Sequence, residues 1–314
     1  MRYRPLLSLA VALLTAPAWA DLDAAIDTHT LPRMDAFAAA TARLAEAECD
    51  AMDHPFREAA LAWAAAGHLT LGPVEEAGRG RAILFWPDGR DATGRGLRLL
   101  AGQDPAAWTP DALTRASVAA RGLGALGRAI FEDAAPCPLT RALAADLAAS
   151  AAALRAGWDG FADTLRTAGA PGNTRYLAPE EAQAAFLTAL ASGLEHTAEQ
   201  RLGRPLGSFD DPRPLRAELR RSDLSLPIII AALESLQDLA GTLADAPRTD
   251  AALDRALSQA RAIDSPDLSA VADPAARARI EALQTTVRAA HRAALQEIGA
   301  GLGIVPGFNS ADGD

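Results

Sequence analysis

Residues 138–168 read PLTRALAADLAASAAALRAGWDGFADTLRTA, and this stretch indicates the class of fold. Leucine and alanine recur in it every three to four residues, the spacing that places apolar side chains on one face of an α-helix. The same spacing returns along most of the chain, whereas β-branched runs are nearly absent apart from residues 228–230. The chain is therefore predicted to be all-α.

The apolar spacing predicts eight helices, and their number suits two four-helix bundles packed side by side. The glycine- and proline-bearing stretch GAPGNT is the natural seam between the bundles. The predicted domains are a leader at 1–20, an N-terminal bundle at 21–170 and a C-terminal bundle at 171–314, with 72–108 as a loop insertion in the first bundle. The predicted helices cover about residues 23–48, 54–70, 110–132, 138–168, 178–202, 226–244, 250–263 and 274–300.

The first twenty residues, MRYRPLLSLAVALLTAPAWA, have the pattern of a secretory signal peptide. Arginines open the stretch, an apolar run follows, and small residues at Ala18 and Ala20 complete an A-x-A cleavage pattern. We expect cleavage after Ala20 and export to the periplasm. No later stretch is apolar and uncharged for long enough to predict a transmembrane segment in the mature chain.

The charge of the chain is negative, with a formal net charge of −10, and all 30 of its basic residues are arginine. Nucleic acids and anionic membranes are bound by basic patches, so an acidic balance argues against both partners. The acidic residues are compatible with cation binding, but most are expected to solvate helix faces.

Two cysteines, Cys49 and Cys137, are the only ones in the chain. An even number of cysteines in an exported protein favours one disulfide between them. By the chain-entropy argument, closing a loop of this length contributes about 4 kcal/mol to stability. The other reading is two buried free thiols, and the spacing matches no zinc pattern.

The stretch GLGALG at 122–127 is a literal G-x-G-x-x-G, the fingerprint of a dinucleotide-binding loop. That fingerprint requires a preceding strand and a helix that opens at its last glycines, so that free N–H groups meet the pyrophosphate. The preceding residues, PDALTRASVAA, have the pattern of a capped helix, and no βα alternation occurs. We therefore expect Gly124 and Gly127 to allow another backbone to approach a helix closely.

Several stretches together, in this order, resemble the imelysin-like family. The resemblance covers essentially the whole mature chain, and its more specific elements are FWPD, R-S-x-x-S-L and the terminal D-G-D. It implies two related four-helix bundles, export to the periplasm or outer envelope, and an association with iron regulation or iron uptake. The stretches are PRMDAFAAATARLAEAECD (32–50), GP (72–73), RAILFWPDGRD (81–91), RGLGALGRAIFED (121–133), RPLGSFDDPRPLRAELRRSDLSL (204–226) and GFNSADGD (307–314).

The family was classed with metallopeptidases because of a G-x-H-x-x-E motif, and the resemblance places that motif on GLGALG. Its glycine falls on Gly122, its histidine on Gly124 and its glutamate on Gly127. Glycine offers neither a metal ligand nor a general base. The resemblance therefore supports neither iron binding nor peptidase chemistry at these positions.

Irregular polar segments are the other candidates for a site. In FWPDGRD, Trp86 and Asp88 stand beside a proline that fixes the chain, and Ser222 and Ser225 begin a predicted helix, which makes each a candidate helix cap. Arginines and acids from distant segments are expected to meet between the bundles. They would either form ion pairs that stabilise the junction or line a cleft that holds an anionic ligand. The predicted cleft residues are Trp86, Asp88, Arg90, Arg121, Arg220, Ser222 and Asp312.

A weak metal candidate is the H-x-x-E formed by His196 and Glu199, which on an α-helix would share one face. A surface pair of these residues is the alternative reading. The sequence thus predicts an exported, non-catalytic protein that binds a small anion, a metal chelate or an envelope protein. The second hypothesis is a metal-dependent hydrolase that uses residues outside the GLGALG stretch.

Overall fold

A computed structural model describes residues 21–302; in this part of the chain helices are joined by turns and loops, and the β-type pairing is one isolated bridge between Ser208 and Asp211. Residues 1–20 and the tail with Asp312 lie outside the described residues. The helices are α1 Leu22–Ala24, α2 Leu31–Glu46, α3 Asp53–Ala66, α4 Arg79–Ile83, α5 Ala92–Ala101, α6 Pro110–Thr114, α7 Gly122–Phe131, α8 Cys137–Arg166, α9 Pro179–Glu195, α10 Gly203–Leu206, α11 Ser225–Leu243, α12 Pro247–Arg261 and α13 Pro274–Gly301.

In each half of the chain, one π-helical segment continues the first helix. Residues Ala25–Thr30 join α1 to α2, and His196–Leu202 join α9 to α10. Shorter 3₁₀ turns lie at Cys49–Ala51, Gly72–Val74, Glu76–Gly78, Pro105–Ala107, Val118–Ala120, Pro214–Arg216, Arg220–Ser222 and Ser269–Ala272.

The long helices form two groups of four. In the first group α2 packs on α3 and α8, and α7 packs on both α3 and α8. In the second, α11 packs on α9 and α12, and α13 packs on both α9 and α12. The chain passes from one group to the other between Arg166 and Pro179. The all-α prediction is confirmed.

The two groups meet mainly where α3 and the first π-helical segment pack on α11. A polar chain crosses this junction: the Nε of Arg33 donates to the hydroxyl of Ser235 at 2.5 Å, which in turn donates to the carbonyl of Ala65 at 2.6 Å. Beside it, the Nε2 atoms of His29 and His68 lie 3.0 Å apart in the interior. The junction is therefore packed and hydrogen-bonded.

Helix α11 is the one helix within residues 21–302 that is long and apolar enough to cross a membrane by length and composition. More than half of it is buried, and it packs among α3, α9 and α12. Its apolar residues are accounted for by the core that it fills.

Cys49 and Cys137 form a disulfide, with their Cα atoms 5.9 Å apart. The bond joins the 3₁₀ turn after α2 to the first residue of α8. The prediction of one disulfide is confirmed.

Two sequence expectations about helices were wrong. The segment 72–108 is not a plain loop, because it contains α4 and the amphipathic helix α5, whose buried face includes Leu97 and Leu100. The single helix predicted over 110–132 is broken into α6, a 3₁₀ turn and α7, since Gly122 has a φ of +66° that no α-helix accepts.

Candidate functional site

The FWPDGRD loop runs between the two groups of helices, and the first of its two acids, Asp88, serves the local fold. The Oδ1 of Asp88 accepts from the N–H of Ala92 and its Oδ2 from the N–H of Thr93, both at 2.8 Å. These are orphan donors at the start of α5. Burial alone would raise the pKa of the Asp88 carboxyl, but the backbone donors of Thr93 and Ala92 hold it below its usual value.

On one side of Trp86 lies a cavity of about 450 Å³, which we call the arginine cavity. Its walls are the FWPDGRD loop, the side of α7 that carries Gly124 and Gly127, and the segment 215–222. Five arginines line it: Arg128, Arg204, Arg216, Arg220 and Arg221.

Three of these arginines have partners. Arg128 is bound by Asp91 and by Glu132, whose Oε2 lies 2.9 Å from its Nε. Arg221 also binds Glu132. Arg204 donates to the Gln200 side chain at 2.6 Å, and its guanidinium carbon lies 5.9 Å from the centre of the Trp86 ring.

The other two arginines, Arg216 and Arg220, have no acid within ion-pair distance in residues 21–302. The Nε of Arg220 is also buried there without a hydrogen-bond partner. Burial, and then the neighbouring Arg221, lower the pKa of the Arg220 guanidinium from its usual value. The lining carries five arginines and two acids, Asp88 and Asp91, while Glu132 and Asp267 act on Arg220 from outside it, so the cavity is electropositive in an acidic chain.

The structure brings together four of the seven predicted cleft residues: Trp86, Asp88, Arg220 and Ser222 all line the arginine cavity. Arg90 is exposed and outside the lining. Asp312 lies outside the described residues.

The seventh predicted residue, Arg121, has a different environment. It is buried in the first group of helices, where Nε and NH2 donate to the two carboxylate oxygens of Asp146 at 2.8 and 2.7 Å. NH1 donates to the carbonyl of Thr114 at 3.1 Å. The expected network of Arg121 with Arg90 and Arg220 therefore does not form, because all three guanidinium nitrogens of Arg121 are engaged by the first group.

The two serines do not cap α11 as expected. The Ser222 hydroxyl donates to the carbonyl of Leu219 at 2.8 Å, and the Ser225 hydroxyl donates to that of Glu218 at 2.7 Å. Both hydroxyls therefore close the turn that precedes α11, whose N-terminus has no side-chain cap.

The three glycines of GLGALG differ in what surrounds them. A Cβ on Gly122 would stand 2.2 Å from the carbonyl oxygens of Ala82 and Ile83, so the close backbone approach expected at the later glycines belongs to this first one. A Cβ on Gly124 would meet only the Phe85 carbonyl oxygen at 3.5 Å, and one on Gly127 the Phe56 ring at 3.1 Å.

The residues around Gly124 and Gly127 do not fit a metal ion. Of the two acids that line the arginine cavity, Asp88 is held by backbone N–H groups and Asp91 by Arg128. Arginines surround them, and no cluster of three histidine, cysteine or acidic side chains occurs in residues 21–302. The positions to which the resemblance assigns a histidine and a glutamate thus lie in a cationic cavity.

His196 and Glu199 do not share a face. They lie on the π-helical segment, whose i→i+5 hydrogen bonds put residues five apart, not three, on nearly the same side. The two carboxylate oxygens of Glu199 accept from Arg288 at 2.5 and 2.7 Å. His196 faces the other way, with its ring centre 5.8 Å from that of Trp86.

A second cavity, of about 470 Å³, also has Trp86 in its lining, and we call it the indole cavity. Its lining includes Trp63, His68 and His196, together with the ion pair of Arg201 and Glu218. Sequence reasoning missed this pair. The spacing of His196 and Arg201 would have predicted that they line one cavity only if the π-helical segment had been known.

Two solved structures have the same fold. An imelysin-like protein from Psychrobacter arcticum 273-4 is 19% identical with a TM-score of 0.74, covering 91% of this chain and 96% of that one. A protein provisionally named iron-regulated protein A precursor, from Parabacteroides distasonis ATCC 8503, is 12% identical with a TM-score of 0.58. The coverage there is 90% of this chain and 92% of that one.

No curated protein sequence matches the chain. The sequence profile of the imelysin family, peptidase family M75, matches residues 12–294. The match covers residues of both groups of helices and of both cavities. The chain therefore belongs to the imelysin family.

Proposed function

We propose that the protein is a non-catalytic binding protein of the periplasm, and that its arginine cavity holds a small anion linked to iron uptake or iron regulation. The ligand class is a carboxylate, free or as a metal chelate. The link to iron rests on the name of the Parabacteroides relative, and export rests on the leader, the family and the disulfide.

The observation that carries this proposal is the pair of arginines without acidic partners. Arg216 and Arg220 line a cavity in which Asp91 and Glu132 are bound by Arg128 and Arg221, and Asp88 is held by backbone N–H groups. An entering carboxylate would therefore meet two guanidinium groups without an acid at ion-pair distance. A guanidinium binds a carboxylate through paired, charge-assisted hydrogen bonds. Trp86, Leu215 and Leu219 supply apolar wall for the body of such a ligand.

The cavity favours binding over hydrolysis. A general base must be an unengaged carboxylate or imidazole within reach of the substrate. Among the described lining residues, both carboxylates are already bound, and no histidine contributes to this cavity.

Calorimetric titration of the purified chain with citrate, and separately with ferric citrate, tests the proposal. We expect one site for at least one of the two, and the comparison tells a free carboxylate from a chelate. Arg220→Gln should weaken binding about ten- to a hundredfold, since a hydrogen bond to a charged group contributes about 1.5–3 kcal/mol. Arg90→Gln changes an exposed arginine of the FWPDGRD loop that lies outside the cavity lining; it is the control and should bind normally.

Three results would count against this function. Equal binding by Arg220→Gln and the wild type would place the anion elsewhere. A stoichiometric site for iron or zinc without citrate, lost in His196→Ala, would favour the metal-dependent hydrolase instead. Co-purification with an envelope protein and no anion binding would favour a role as a protein partner.

A further inference from the structure

The indole cavity is a separate space from the arginine cavity and is built from both groups of helices. Trp63 comes from α3, Trp86 from the FWPDGRD loop, and His196 and Arg201 from the second π-helical segment. A volume of about 470 Å³ falls in the range of sites for small organic molecules. Trp86 forms the wall shared with the arginine cavity.

The polar centre of this cavity is the ion pair of Arg201 and Glu218. The side chains are 9% and 2% exposed, and the Nε of Arg201 lies 2.8 Å from the Oε2 of Glu218. Within residues 21–302 the two terminal nitrogens of Arg201 and the Oε1 of Glu218 have no further hydrogen-bond partner. A buried ion pair is costly unless its remaining donors and acceptors are also satisfied.

The charge of the cavity is balanced. Burial, then Arg33 and Arg201, lower the pKa of His68 to about 3, and burial, then Arg201, lower that of His196 to about 4, so both rings are neutral at pH 7. The other charged lining residues, Glu75 and Arg81, are exposed and opposite in sign. A charged ligand would have no counter-charge here, whereas an uncharged ligand needs none.

We propose that the indole cavity binds an uncharged, planar nitrogen heterocycle that carries a carbonyl next to a ring N–H. The carbonyl accepts from the terminal nitrogens of Arg201, and the ring N–H donates to the Oε1 of Glu218. The ring packs against the indoles of Trp63 and Trp86, because aromatic faces supply most of the contact area in such sites.

Quinolin-2(1H)-one is the probe, since it is a flat bicycle with the required carbonyl and N–H side by side. Two controls keep the flat bicycle: 1-methylquinolin-2-one has a methyl group in place of the N–H hydrogen, and naphthalene lacks both the N–H and the carbonyl. Calorimetry and saturation-transfer NMR on the full mature chain should show one site for the quinolone, with binding at least tenfold weaker for each control.

Two variants locate the site without breaking the ion pair. Thr70→Phe adds bulk at an exposed position of the cavity lining and should abolish quinolone binding. Arg220→Gln, in the arginine cavity, should leave it unchanged. Equal binding of all three probes would reduce the cavity to an unspecific apolar space and overturn the proposal. Absence of quinolone binding, or binding that survives Thr70→Phe, would overturn it as well.

Discussion

Arg121 and Arg201 are both nearly buried and both paired with an acid, yet their surroundings differ in one respect. Arg121 has hydrogen bonds at all three of its guanidinium nitrogens, two to Asp146 and one to the Thr114 carbonyl. Arg201 has one, to Glu218, and it faces a cavity. A buried arginine whose guanidinium nitrogens all have hydrogen-bond partners stabilises the fold. One with free nitrogens beside a cavity can also bind a ligand there.

The largest effect is expected where the satisfied pair is broken. Asp146→Ala leaves the Arg121 guanidinium buried without its counter-charge, which should lower the free energy of unfolding by about 3–5 kcal/mol. Urea unfolding followed by circular dichroism measures the change. Asp111→Ala removes an exposed acid that pairs with Arg115 and serves as the control, with an expected change below about 1 kcal/mol.

A smaller loss is expected for the other pair. Glu218→Ala also removes the acid from a buried arginine, but the adjoining cavity admits water to the guanidinium, so the loss should be about 1–3 kcal/mol. The same unfolding measurement applies. A loss as large as that of Asp146→Ala would mean that the two arginines are equivalent and would remove the distinction between them.

Acid should affect the neighbourhood of Arg201 first. Burial lowers the pKa of His29, His68 and His196 from 6.5, so between pH 6.5 and 5 the unfolded chain binds more protons than the folded one at these sites. Their contribution to stability is therefore complete above pH 6.5 and is lost as the pH falls.

Each of these histidines contributes a slope of at most about 1.4 kcal/mol per pH unit. Unfolding midpoints measured from pH 7.5 to 5 should fall in the wild type and fall less steeply in His68→Gln. A wild-type midpoint that is constant over this range would show that these rings are not kept neutral by folding.

The helices were predictable because their signal is local. The three-to-four spacing of Leu and Ala located α8 within two residues at each end. The even number of cysteines, in a chain expected to be exported, predicted the disulfide. The break at Gly122 escaped prediction, since its cause is the carbonyl groups of Ala82 and Ile83, forty residues earlier in the chain.

The cavities were predictable only in part. The irregular segments supplied Trp86, Asp88, Arg220 and Ser222, because polar, proline-bearing stretches between helices stand out in a sequence of this kind. Arg201 and Glu218 did not stand out. Arg201 lies in an apparently regular helix, and only the π-helical turn, which composition does not reveal, rotates it toward His196.

Trp86 has one consequence for how the molecule responds to what it binds. Its indole lines both cavities and lies 5.9 Å from the guanidinium carbon of Arg204 and 5.8 Å from the ring centre of His196. If a ligand in one of the two cavities displaces this ring, the shape of the other cavity changes. Thermodynamic linkage then requires that each occupant alter the affinity of the other by the same factor. The affinity of each cavity for its ligand would thus depend on whether the other cavity is occupied, because both share the Trp86 side chain.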